Sequence, residues 1–125
     1  MRPAIPATLF AIMTLSMSCG AGSAQTLPRV GETWQIKTDG FGCARNDDLD
    51  QLLRLRHDDD QNAFSTLLDR LRGEERCREL PKGLEVVVER IEPYGMLNDR
   101  PCVRGGGSSV CWYTPPAFLR PAGSR

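Results

Sequence analysis

The chain lacks most of what marks a catalyst. Its 125 residues hold one histidine, His57, and a nucleophile triad needs a base with both an orienting partner and a nucleophile beside it. His57 stands between Arg56 and Asp58 near an expected helix end, where a solvated imidazole suits the dipole. With no nucleophile motif to accompany it, no catalytic residue is expected. Charge excess is missing too: 16 basic and 16 acidic side chains leave no global field for nucleic acid or an anionic membrane. The cysteines form no C-x-x-C knuckle, which argues against zinc, so no metal and no other cofactor is expected. No apolar run is long enough to span a bilayer as a helix.

Residues 1–24 read as a secretory signal peptide. A positive start at Arg2 leads into an apolar stretch between Ala7 and Met17, and the small residues Gly22 and Ala24 precede a cleavage point before Gln25. A second reading is a lipid anchor at Cys19, although the leucine that such a signal places three residues earlier is Ser16 here. A periplasmic or secreted protein is expected, with no integral membrane segment once the signal is removed. Its remaining cysteines, Cys43, Cys77, Cys102 and Cys111, are even in number and suit two disulfides supplementing a small core.

Along residues 25–119 the hydrophobic period changes twice. Trp34 and Ile36 alternate with polar residues and are expected to face the core from a first strand. Asp39-Gly40-Phe41-Gly42 reads as the turn that ends it. From Asn46 and Asp47, both good N-caps, Leu49, Leu52, Leu53 and Leu55 follow at helical spacing. A second helix starts near Asp59 or Asp60, carries Ala63, Phe64, Leu67, Leu68 and Leu71, and is expected to stop at Gly73. Leu84, Val86 and Val88 then restore the two-residue period of a strand with one wet face. A loop is expected between Pro93 and Pro101, and a disordered tail over residues 120–125.

Glycine suggests the cysteine pairing. With Gly106-Gly107 as a two-residue hairpin turn, Val103 faces Val110 and Cys102 falls directly opposite Cys111. Cys43 and Cys77 then staple the ends of a helical insertion spanning residues 44–76. This ranks first among the three connectivities that four cysteines allow.

Two stretches carry a resemblance. Val30-Gly31-Glu32-Thr33-Trp34-Gln35-Ile36 stands as a first strand, and Leu80-Pro81-Lys82-Gly83-Leu84-Glu85-Val86-Val87-Val88 fits the pattern Leu-x-x-Gly-x-x-Val-x-Val. With Val103-Arg104, a glycine turn, Trp112 and Ala117-Phe118-Leu119 after them, the chain resembles a bacterial SH3-like (SH3b-type) barrel domain. The resemblance implies a small β-barrel carrying a helical hairpin after its first strand. The fold class is therefore mainly β with an α insertion. The helical segment replaces a long irregular loop of that family, and the fold alone does not name a ligand.

Several constellations have plainer readings. Asp58, Asp60 and Asn62 have the spacing of a calcium loop with Asp69 at its end, yet Ala63 stands where glycine is needed; a solvated inter-helix turn fits better. The pairs Glu74 with Glu75 and Glu89 with Glu92 read as solubilising carboxylates, and Arg104-Gly105-Gly106-Gly107 as a hairpin tip. Tyr94 with one of Trp112 and Tyr113 is the expected surface contact, since neighbours in a strand point to opposite faces and at least one belongs to the core. The function expected is a non-catalytic exported binding domain whose partner is an envelope protein or cell-wall peptidoglycan. The alternative is a small periplasmic inhibitor or immunity protein that blocks a toxin or hydrolase, with the acidic turn at Asp58 and Asp60 as its plug.

Overall fold

The computed structural model describes residues 27–94 and 98–123. The expected signal peptide and Cys19 lie outside these residues, as does the side chain of Tyr94. Seven strands and two helices follow one another as β1 (Thr33–Ile36), β2 (Gly40–Cys43), α1 (Asn46–His57), α2 (Gln61–Gly73), β3 (Cys77–Leu80), β4 (Glu85–Tyr94), β5 (Asn98–Gly105), β6 (Trp112–Tyr113) and β7 (Leu119–Pro121). The strands form one antiparallel sheet in the order β3-β2-β6-β5-β4-β1-β7, so β3 and β7 are its edges. The chain is mainly β with two helices between its second and third strands.

Alternation along each strand divides the core in two. Phe41 and Cys43 of β2 join Cys102, Tyr113 and Phe118 beneath Leu49 and Leu52 of α1 and Leu71 of α2. Trp34, Ile36, Leu80, Val86, Val88, Val103 and Leu119 form the second cluster. Val87, between two fully buried valines, is 38% exposed, which is the wet face the pattern predicts. Trp34 and Ile36 are buried as expected.

Glycine misleads at two places. Gly40 and Gly42 were expected to make a turn but lie inside β2. An added Cβ would stand 2.7 Å from the Phe118 ring at Gly40 and 2.9 Å from Trp112 Cβ at Gly42, so these glycines permit close packing rather than reversal of the chain. α2 ends at Gly73 as expected, but the left-handed turn that closes it falls on Glu75, at φ 57°. The Arg76 amide donates to the Leu71 carbonyl and the Glu75 amide to that of Arg72, closing a Schellman motif. The same motif ends α1, with Asp59 at φ 56° and the Asp60 amide donating to Leu55.

The expected loop between Pro93 and Pro101 is a ladder wherever it is described, with residues 95–97 lying outside the described residues. Ile91 pairs with Pro101 and Pro93 with Asp99. The Pro101 carbonyl accepts from the Thr114 amide, so the ring nitrogen points the same way, past the two-residue β6, where no donor is needed. The expected disordered tail also begins as structure: Arg120 and Pro121 belong to β7 and pair with Gln35 and Trp34. Asn46 and Asp47 do not cap α1. Arg45 holds the cap position without a side-chain hydrogen bond, and Asn46 is already helical.

Both disulfides form as expected, Cys43 to Cys77 and Cys102 to Cys111. The register around the second differs. Gly106 and Gly107 have the positive φ that the turn demands, yet Cys102 pairs with Tyr113 and Val103 with Trp112. Ser108 absorbs the two-residue shift by bonding both the amide and the carbonyl of Val110 through its hydroxyl. The bridge is therefore diagonal across the strands, with a Cα separation of 5.3 Å.

Candidate functional site

The helical hairpin lies on the sheet and is tied to it by polar contacts as well as leucines. Asp48, buried in α1, accepts two hydrogen bonds from the Arg76 guanidinium, at 2.6 and 3.1 Å. Glu74 first and Asp48 second raise the Arg76 pKa, so the group stays charged. Arg100 of β5 meets Asp50 at 2.8 Å, and Arg72 of α2 meets Glu79 of β3 at 3.1 Å. A buried charge is tolerated only when paired, so the Asp48 and Arg100 pairs help fix where α1 sits over the strands, while the exposed Arg72–Glu79 pair adds little.

That seating leaves a cleft of about 720 Å³ between the hairpin and the ends of β2 and β3. Its apolar wall comes from Phe41 and Leu80 on the strands and Phe64 and Leu68 on α2. Phe64 and Phe118 both meet Phe41 edge to face, with centroids 5.4 and 5.5 Å away. The polar rim contains Asp39, Glu79 and Arg56. Asp39 accepts the Lys82 amide at 2.9 Å, and Glu79 is held by Arg72. Arg56 differs from both. Its guanidinium carbon lies 5.4 Å from the Phe118 centroid, and it has no hydrogen-bond or ion-pair partner among the described residues.

A second polar group sits at the other end of α1. The Tyr113 hydroxyl donates to Glu92 and accepts from Arg90 at 3.2 Å, while Asn46 donates to the second Glu92 oxygen at 3.2 Å. Burial first, and the Glu92 carboxylate second, push the Tyr113 phenol upward. Arg90 also approaches Cys111 Sγ at 3.6 Å. These groups hydrogen-bond one another and brace α1 against β4 and β6, although the Asn46 Oδ1 is buried without a partner among the described residues.

The residues expected to make contact are thus dispersed. Trp112 and Tyr113 are 9% and 5% exposed, so neither is the free aromatic expected of that pair. They do point to opposite faces: Tyr113 lies under α1, whereas Trp112 fills the space that Gly42 leaves. Asp58 and Asp60 are exposed at the hairpin turn, and Asp60 caps α2 through the Ala63 amide at 3.1 Å. The 12 residues of α1, roughly 18 Å long, separate that turn from Tyr113. His57 is exposed at the end of α1, and no group of three or more metal-ligating side chains occurs among the described residues. No described helix is long and apolar enough to cross a membrane.

Sequence reasoning missed the cleft. Phe64 and Leu68 were visible as a helical stripe, but nothing in one dimension tells a stripe wholly covered by the sheet from one left partly open. Arg56 carried no signal at all. No protein-family model matches this chain, and no curated protein or solved structure is significantly similar to it.

Proposed function

We propose that this protein is an exported, disulfide-braced binding domain that holds a segment of an envelope protein in the cleft between α2 and the β2–β3 end of the sheet. The observation that carries the reading is the cleft itself: an aromatic and aliphatic wall beside an edge strand, of the size such sites usually have, about 300–1,000 Å³. Two disulfides suit an oxidising compartment, which supports export.

The barrel reading belongs to the same proposal. Leu80 on one edge strand and Leu119 on the other share a cluster, so the sheet curls far enough for its two ends to contribute to one core. That curl supports a divergent SH3-like barrel bearing the helical hairpin. The inhibitor or immunity reading has less behind it, because the acidic turn that would serve as plug is partly engaged in capping α2.

The test is photo-crosslinking from the cleft. A photoreactive side chain at Leu68 should trap a protein from the envelope of the producing cell, and one at Arg104, exposed on β5, should not. Equal labelling from both positions, or recovery of cell wall alone, would reject the proposal.

A further inference from the structure

The charges of the cleft specify its ligand more closely than its shape does. Three ionisable side chains border it, and the two acids are already engaged, Asp39 by the Lys82 amide and Glu79 by Arg72. The Arg56 guanidinium brings five N–H donors to the same rim with none committed among the described residues. It is nevertheless positioned, since it rests against the Phe118 ring and its backbone belongs to the last turn of α1. An uncommitted guanidinium beside an apolar wall complements a ligand that is anionic at one end and apolar beside it. A planar carboxylate matches the guanidinium fork.

Resting on the binding reading above, we infer that the cleft receives the C-terminus of a protein partner that ends in a bulky apolar residue. Arg56 takes the terminal carboxylate, and Phe64 and Leu68 take the last side chain, with the buried Phe41 backing the Phe64 ring. Phe64 and Leu68 are only half-buried, and a cleft of about 720 Å³ leaves room that a methyl group would not fill, which favours a terminal Leu or Phe over the alanine that ends a cell-wall stem peptide. The two acids that also border the cleft disfavour a second negative charge on the ligand.

Peptides test this directly. Acetyl-Ala-Ala-Leu with a free carboxylate should perturb amide resonances of β2 and α2 in a titration followed by NMR. Its C-terminal amide should bind about tenfold more weakly or worse, because a charge-assisted hydrogen bond is lost. Arg56→Gln should lose the free acid by a similar factor and bind the amide unchanged, and Arg56→Lys should keep part of the preference. Equal binding of acid and amide, with both abolished by Leu68→Arg, would overturn the carboxylate assignment and leave the cleft standing. Tighter binding of a peptide ending in D-Ala-D-Ala would overturn the choice of a protein C-terminus. Failure of every peptide to perturb the cleft would reject this inference, and the crosslinking result at Leu68 would then decide the broader reading separately.

Discussion

Single residues carry most of the strain and most of the ambiguity in this chain. Glu75 adopts a left-handed conformation that costs an L-residue about 1–2 kcal/mol relative to glycine, and it does so only to end α2. Glu75→Gly is therefore expected to stabilise the protein by about 1 kcal/mol, less than the full relief because glycine also loosens the unfolded chain. A thermal melt reads this as a rise of several degrees; a fall would show that Glu75 does something its backbone does not reveal. Asp48 and Arg76 behave unequally. Asp48 has a side chain 5% exposed and Arg76 one 39% exposed, so removing the arginine strands a buried carboxylate, whereas removing the acid lets the guanidinium turn to water. Arg76→Ala should lower the melting temperature more than Asp48→Asn. At Tyr113 burial raises the phenol pKa above its ordinary value of 10.0, so the folded state holds the proton more tightly than the unfolded state does. The resulting stability is complete below pH 10 and is lost as pH rises through the folded value. Tyr113→Phe should melt lower at neutral pH yet fall less steeply above pH 10, and parallel curves would refute that role.

At the scale of elements, legibility followed periodicity. The two helices and the Val86 and Val88 face were evident because an apolar pattern that repeats has one structural meaning at a time. Glycine and proline do not repeat, and each has several meanings. Gly40 and Gly42 looked like a turn because the ring of Phe118 and the Cβ of Trp112, which need the space, arrive from more than sixty residues away. Pro101 looked like a loop because its missing donor matters only if a partner strand lies opposite, and β6 ends too soon. The cleft was illegible for the same reason: Phe41, Arg56 and Phe64 meet only after α1 and α2 have folded back over β2. The disulfides were found despite a wrong register because Cys111 stands just before β6, outside the ladder, where its Cα comes within 5.3 Å of that of Cys102, a separation that a bridge can span.

For the whole molecule, the two bridges contribute unequally. Cys43–Cys77 closes a separation of 34 residues and Cys102–Cys111 one of 9. Chain entropy gives about 4 kcal/mol for the first and about 2.5 kcal/mol for the second. Replacing each pair by serine should show that order in chemical denaturation, and the reverse order would mean that the β5–β6 turn relies on its bridge for native geometry. The first bridge also joins directly opposed residues of β2 and β3, with Cα atoms 4.0 Å apart, at the point where the helical segment leaves and rejoins the sheet. Everything between them is a covalent ring. A protease that cuts the exposed turn at Asp59 therefore opens the ring without releasing a fragment: the nicked protein should run as one band on an oxidised gel and as two after reduction, still carrying both walls of its cleft.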